Sequence, residues 1–473
     1  MRGLVALVSL LAAAVALGRS PNVVLIMADD LGYGELGAYG QRLIRTPHLD
    51  ALAAEGRRYT QFYSASPVCA PTRTSLMTGK HQGHAAIRGN REIGGWELNS
   101  GEGQWPLPAA EVTMAEAFRA KGYVTGIFGK WGLGGPASEG HPLYQGFDRF
   151  FGYLCQRQAH NFYPTHLWNG HQVWILSEND FFPSHARMAT APEDPAEFNR
   201  FLGKQYAIDE IDREALKFIE ENKDKPFFLY LPSTLPHAAL QAPPEWVDRY
   251  PESWDPVPYL GQNSYVPCRR PRATYAAMIS RLDHTVGQVV AQLKAQDLYE
   301  DTIIIFTSDN GASFNGGVDR EFFRSNGDLR GYKTQLWEGG IRVPLIMRGP
   351  AVEQGVDHRP SAIYDLLATL GRVCALDAEP FDGVDILAAA PRSRVLYWEF
   401  PEGSSWRAVR RGDWKAIQPN LKAGSPTELY NLSRDPRETR NVAGEYPNIV
   451  QELERLMDEH HVPNEVFPLP GVD

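Results

Sequence analysis

Short apolar runs recur along this chain, most of them separated by segments with helical spacing, and this alternation limits the fold more than any other feature of the sequence. Asn22 to Ala28 (NVVLIMA) carries one polar residue, at its start, and reads as a strand buried on both faces. Similar runs follow at Tyr123 to Phe128, Pro226 to Leu231, Thr302 to Thr307 and Val343 to Met347. Between them, helical periodicity marks His48 to Glu55, Val112 to Lys121, Phe201 to Glu221 and Arg272 to Gln296. The pattern predicts an α/β fold: a large, mostly parallel sheet sandwiched by helices. From Arg394 the rhythm changes to VLYWEF, WRAVRRGDWKAI and ELYNL, then a helix at Asn448 to Glu459, which predicts a smaller C-terminal antiparallel α+β lobe. The Pro- and aromatic-rich stretches Asp180 to Asp194 and Ala242 to Pro271 read as long surface loops.

With 473 residues, the chain has room for a large core and an added lobe, so residues 21–393 are taken as the catalytic domain and 394–473 as a subdomain. The net charge of -10 argues against nucleic acid or anionic lipid as partner. Met1 and Arg2 followed by the apolar run Leu4 to Leu17 look like a cleaved export signal over residues 1–20; the run is too short for a stable membrane span. Four cysteines, Cys69, Cys155, Cys268 and Cys374, are too few for a disulfide-built fold, and their spacing forms no metal-binding pair.

In open α/β sheets, ligands collect beyond the carboxyl ends of the strands. There this chain places Asp29 and Asp30, Lys130, Pro236 and His237, then Asp309 and Asn310. One such residue alone would be an ordinary turn or cap residue; four strand ends together mark a site. Three carboxylates and an amide oxygen are hard ligands, suited to one Ca²⁺ or Mg²⁺ ion. Arg73, Lys130, Lys333 and His237 would hold an oxyanion beside it. In Ser66 to Arg73 (SPVCAPTR), Cys69 precedes a helix-compatible segment, and a helix N-terminus favours negative charge.

Cys69 to Arg73 fits the Cys-x-Pro-x-Arg pattern of the sulfatases, which the chain resembles further in MADDLGYGELGAYG (27–40), GKWGLG (129–134), LPHAALQAP (235–243), TSDNG (307–311) and LRGYKTQLWEGGIRVP (329–344). DWK at 413–415 and ELYNLSRDPRETRN at 428–441 extend the resemblance to about residue 445. The resemblance implies hydrolysis of an aryl or carbohydrate sulfate ester to an alcohol and sulfate. It implies that a formylglycine-generating enzyme oxidises Cys69 to formylglycine, whose hydrate attacks sulfur and whose second hydroxyl lets the covalent sulfate collapse. It further implies a metal, Ca²⁺ before Mg²⁺, on Asp29, Asp30, Asp309, Asn310 and the modified Cys69. Arg73 would steady the hydrate, and Lys130, His237 and Lys333 would hold the sulfate. His237 is the expected proton donor to the leaving alcohol.

Two positions depart from the family pattern. Thr72 stands where Ser or Ala is usual, and Gly132 replaces the histidine of the common GKWHLG form. His160 is the expected substitute for that histidine, as catalytic helper or substrate ligand, with His141 second. Trp96, Trp105, Phe162, Tyr163 and Trp168 are candidates for stacking on a sugar or aryl group. Two other readings compete: a phosphodiesterase or phosphonate hydrolase of the same superfamily, and a sulfated-glycan-binding protein that has lost turnover.

Overall fold

The computed structural model describes residues 20–94, 102–377, 382–388 and 394–473. Most of the expected export signal, Trp96 and the expected boundary at residues 391–393 lie outside them. One sheet is built from β1 (Asn22–Ala28), β2 (Arg57–Tyr63), β3 (Val124–Lys130), β4 (Arg149–Tyr153), β5 (His166–Asn169), β6 (Gln172–Ile175), β7 (Phe227–Pro232), β8 (Thr302–Ser308), β9 (Arg342–Arg348), β10 (Gly355–Asp357) and β11 (Ser361–Ala362). Its order is β10-β2-β9-β8-β1-β7-β3-β4-β5-β6, with β11 also on β2. The central run β8-β1-β7-β3-β4 is wholly parallel, while β9 and the β5–β6 hairpin are antiparallel.

β1 shows why the sheet is covered on both sides. Val23, Leu25 and Met27 enter one apolar cluster, Val24, Ile26 and Ala28 the other, and none is exposed. Helices Pro47–Glu55, Ala207–Glu221 and Pro271–Ala295 cover one face through residues such as Leu49, Ile211 and Ile279. Helices Cys69–Thr78, Met114–Ala120 and Asp365–Val373 cover the other. A reciprocal Thr113 and Glu116 capping box starts the Met114–Ala120 helix.

Strands β12 (Val395–Phe400), β13 (Trp406–Arg411), β14 (Trp414–Gln418) and β15 (Glu428–Asn431) form an antiparallel sheet in that order. Leu396, Trp398 and Ala408 join the core of the large domain, while Tyr397, Val409 and Ala416 pack with Leu453 and Met457 of helix Pro447–His460. The C-terminal sheet is thus an added layer on the helical covering.

Two expectations need correction. The helix expected from Phe201 begins at Ala207; a 3-10 turn, Pro195–Phe201, precedes it. Asn179 explains the break, because its side chain accepts from the N–H groups of Lys204 and Gln205 and donates to the Gln205 carbonyl, taking groups a helix would use. The stretches 180–194 and 242–271 are also more than surface loops. Met188 N–H donates to Leu260 O at 2.9 Å, and Met188, Phe198, Phe201, Tyr265 and Val266 bury a separate cluster against Ala238 and Ala239.

Candidate active site

Because β1, β3, β7 and β8 run parallel, their carboxyl ends converge and bring the polar residues of four distant segments together. Asp29 and Asp30 leave β1, Lys130 ends β3, His237 follows β7, and Asp309 and Asn310 leave β8. Asp30 takes φ +62°, a left-handed turn that Asp tolerates better than most residues, and its N–H donates to Asp309 Oδ1 at 3.1 Å. Glu35 braces the same turn from beneath, accepting from Gly32 N–H and Tyr275 OH at 2.7 Å each. Burial raises its carboxyl to about 7.

Cys69 opens the helix Cys69–Thr78, which is buried along its whole length, with Gly79 in a left-handed conformation at its C-terminus. Pro71 fits the first turn, where its missing N–H has no helical partner to lose. Thr72 donates to Ser66 O and accepts from Ser66 N–H, closing the segment before Cys69. The departure at Thr72 therefore supplies a local clasp. Cys69 Sγ lies 3.4 Å from Asp29 Oδ1, and burial followed by the charge of Asp29 pushes the thiol far above its ordinary value.

Three cations surround these groups. Lys130 Nζ donates to Asp29 Oδ2 at 2.6 Å, and Arg73 donates to Asp309 Oδ2 at 3.0 Å and to the Lys130 carbonyl at 2.5 Å. Lys333 Nζ reaches Asp30 Oδ2 at 2.7 Å and His237 Nε2 at 3.1 Å. Burial opposes the charge on Asp29, but Lys130, His237 and Arg73 outweigh it and hold the carboxyl below its usual range. Burial and the negative charge of Asp29 raise Asp309 to about 7. Burial and Lys333 lower His237 to about 4. The Nδ1–H of His237 donates to Ala238 O, which leaves Nε2 to accept from Lys333.

The donor atoms of Asp29, Asp30, Cys69 and His237 lie within 4.8 Å of one another. Asn310 Nδ2 donates to Asp30 Oδ1 at 2.8 Å, yet Asn310 Oδ1 is buried without a hydrogen-bond partner. An orphaned amide oxygen beside three carboxylates fits a hard divalent cation, and it is this set that would hold one.

His160 does reach the site, but not beside Gly132. Its ring stacks on His237 with centroids 4.5 Å apart and planes at 9°, and its buried Nδ1 has no partner. Burial and the neighbouring His237 keep it well below the ordinary histidine range. The space at Gly132 is taken by Gln156: a Cβ at position 132 would lie 3.0 Å from Gln156 Cγ, on a backbone with φ +75°. His141 packs instead against His171, Tyr144 and Phe150. Of the candidate stacking residues, Phe162 and Tyr163 are core residues packed on Tyr206, and Trp168 is buried with its N–H on Glu102. Trp105 lies under the Arg91 guanidinium at 4.3 Å.

Sequence reasoning missed Asn90, Gln156, Tyr265 and Glu402, which come from loops and carry no recognisable spacing. Asn90 Oδ1 accepts from Ala70 N–H at 3.0 Å and from Gln156 Nε2 at 3.2 Å. The ring of Tyr265 stands edge-on to His160 and His237. None of the four cysteines is in a disulfide, and all are buried. No helix among the described residues is long and apolar enough to cross a membrane.

The sequence profile of the family named Sulfatase matches residues 21–374. Human arylsulfatase A is 33% identical over 94% of this chain and 89% of its own length. N-acetylgalactosamine-6-O-sulfatase of Bacteroides thetaiotaomicron is 28% identical, with 93% of each chain covered. The crystal structure of Ps i-CgsB in complex with k-i-k-neocarrahexaose superposes with a TM-score of 0.73 at 26% identity, covering 93% of this chain and 92% of that one. The profile spans most of the chain and the relatives nearly all of it, so the chain belongs to the sulfatase family and is a sulfuric ester hydrolase.

Proposed function

We propose that this sulfatase acts through a formylglycine formed from Cys69, with one divalent cation, Ca²⁺ before Mg²⁺, held by Asp29, Asp30, Asp309, Asn310 and the modified Cys69. The observation that carries this reading is the state of Cys69. A thiol buried against Asp29, with its pKa pushed up, is a poor nucleophile as it stands, although it occupies a helix N-terminus ringed by cations. Conversion to an aldehyde removes that handicap. The hydrated aldehyde would supply a hydroxyl nucleophile, and a cation held by Asp29, Asp30, Asp309 and Asn310 would neutralise charge on the sulfate oxygens.

The chain's own residues then divide the work. Arg73, tied to Asp309 and to the Lys130 carbonyl, holds the modified side chain in place. Lys130 and Lys333 bind the sulfate oxygens, where charge develops in the transition state. Lys333 Nζ donates to His237 Nε2 at 3.1 Å, and we assign that pair as donor to the departing alcohol oxygen. The stack of His160 holds the plane of His237, which supports the reading of His160 as a substrate-binding residue. Residues 1–20 act as an export signal, 21–393 as the catalytic domain and 394–473 as its subdomain; a formylglycine-generating enzyme acts on the chain during maturation. The names of the relatives support an aryl or carbohydrate sulfate as substrate.

Peptide mass spectrometry at position 69 tests the nucleophile, with formylglycine as the expected result. Only unmodified thiol, in protein made with a competent maturing enzyme, would leave a glycan-binding role instead. Elemental analysis should find one calcium or magnesium ion per chain; two zinc ions would overturn the metal assignment.

A further inference from the structure

We propose that Asn90, Gln156 and Glu402 form a hydroxyl-reading subsite beside the reaction centre, and that it selects a carbohydrate sulfate over an aryl sulfate. This rests on the sulfatase reading and adds the class of leaving group. Asn90 is the hub. Its Oδ1 holds the N–H of Ala70, the residue after Cys69, and the Nε2 of Gln156, while its own N–H donates to Glu402 Oε1 at 2.6 Å. Gln156 is fixed at its other end by Gln104, whose Oε1 accepts its N–H at 3.2 Å, and it packs beside Gly132 and Arg73. Three polar side chains from three distant segments are therefore tied to the first turn of the helix that carries the nucleophile.

Glu402 comes from the C-terminal lobe, in the turn between β12 and β13. Burial raises its carboxyl above the ordinary value, against the opposing pull of Asn90 N–H and the nearby Lys333 ammonium. Among the described residues nothing bonds to Glu402 Oε2 or to Asn90 Nδ2. One acceptor and one donor, both held on rigid supports, match a hydroxyl or a pair of neighbouring hydroxyls on a sugar ring. An aryl group offers neither, so its binding would take water from both atoms and return nothing.

The test uses full-length protein shown by mass spectrometry to carry formylglycine. Substrates are p-nitrophenyl sulfate and a panel of monosulfated hexoses and N-acetylhexosamines. The wild type should have its highest kcat/KM on a member of the sugar panel and be inhibited by the corresponding unsulfated sugar. Glu402→Gln and Gln156→Leu should each lower the ratio of kcat/KM on that sugar to kcat/KM on p-nitrophenyl sulfate by about tenfold or more, mainly through KM. Glu402→Gln is isosteric, and its inhibition constant for the unsulfated sugar gives a second reading independent of turnover. A wild type that prefers p-nitrophenyl sulfate to every sugar, or variants that lose activity on both substrates in the same proportion, overturn the subsite. If the wild type releases sulfate from no substrate despite its formylglycine, the sulfatase reading fails instead.

Discussion

Lys415 is the strongest single test of how the C-terminal lobe is held on the catalytic domain. It sits on β14, fully buried, with Nζ at 2.9 Å from both Glu338 and Glu438. Glu338 also accepts from Tyr63 OH at 2.7 Å, and its N–H donates to Glu438 Oε2 at 2.6 Å. Glu338 lies just beyond the loop that carries Lys333, so the cluster supports the site as well as the lobe. Lys415→Met keeps much of the volume but leaves two buried carboxylates without their shared cation, a change that typically costs about 3 to 5 kcal/mol. Glu438 is already raised to about 7 by burial and the charge of Glu338. Without Lys415 it rises further. A carboxyl raised above its unfolded value contributes stability that is full at low pH and lost as pH rises through the folded value. The variant should therefore be about 4 kcal/mol less stable than wild type near pH 8, and the difference should shrink by about 1 kcal/mol near pH 6. Denaturant unfolding at the two pH values measures both. A loss under about 1 kcal/mol, or one that grows as pH falls, would refute the reasoning. Adding Glu438→Gln to Lys415→Met should restore part of the stability, because the remaining carboxylate, Glu338, keeps Arg342 as its ion-pair partner at 3.4 Å.

Other substitutions probe the site and its surroundings. Asp309→Ala should remove the bound metal and lower turnover by about a hundredfold or more, read by elemental analysis and steady-state kinetics; retention of both metal and activity would contradict the ligand assignment. His160→Ala should lower kcat about tenfold by freeing the ring of His237, and His160→Phe, which keeps the stack, should recover most of it. Equal losses in the two variants would mean that the Nδ1 of His160 matters more than the stack. His81 is buried and lowered to about 3, chiefly by burial, among Asp382, His84, His460 and Arg88. A histidine depressed in the fold contributes stability above its unfolded value near 6.5 that is lost as pH falls, so about 2 kcal/mol should disappear between pH 7.5 and pH 5. His81→Asn should flatten that part of the stability profile, and an unchanged slope would rule the group out.

The residues proposed to hold metal and sulfate are legible because of one physical rule, that parallel strands deliver their ends to the same edge. Asp29, Lys130, His237 and Asp309 each follow or end an apolar run, so the sequence reads both the strand and what it carries. The edge of the sheet was harder. β2 (RRYTQFY) buries Tyr59, Phe62 and Tyr63 across a register shift and so follows no regular period, while β10 and β11 are too short to leave a pattern. The walls of the site were harder still. Gly132 announced that a side chain had been withdrawn, but not what entered its place, because the replacement depends on how the chain runs beyond β4. Trp131 and Gly132 pair with Tyr153 and Leu154 through backbone hydrogen bonds, and that extension of the β3–β4 pairing places Gln156, not His160, against Gly132. Glu402 reaches Asn90 across 312 positions in the chain, a distance over which no periodicity survives. If specificity resides in that contact, chains with the same Cys69 segment and strand ends can differ in substrate through loop residues such as Gln156 and Glu402, and the reaction is more readable from the sequence than the leaving group.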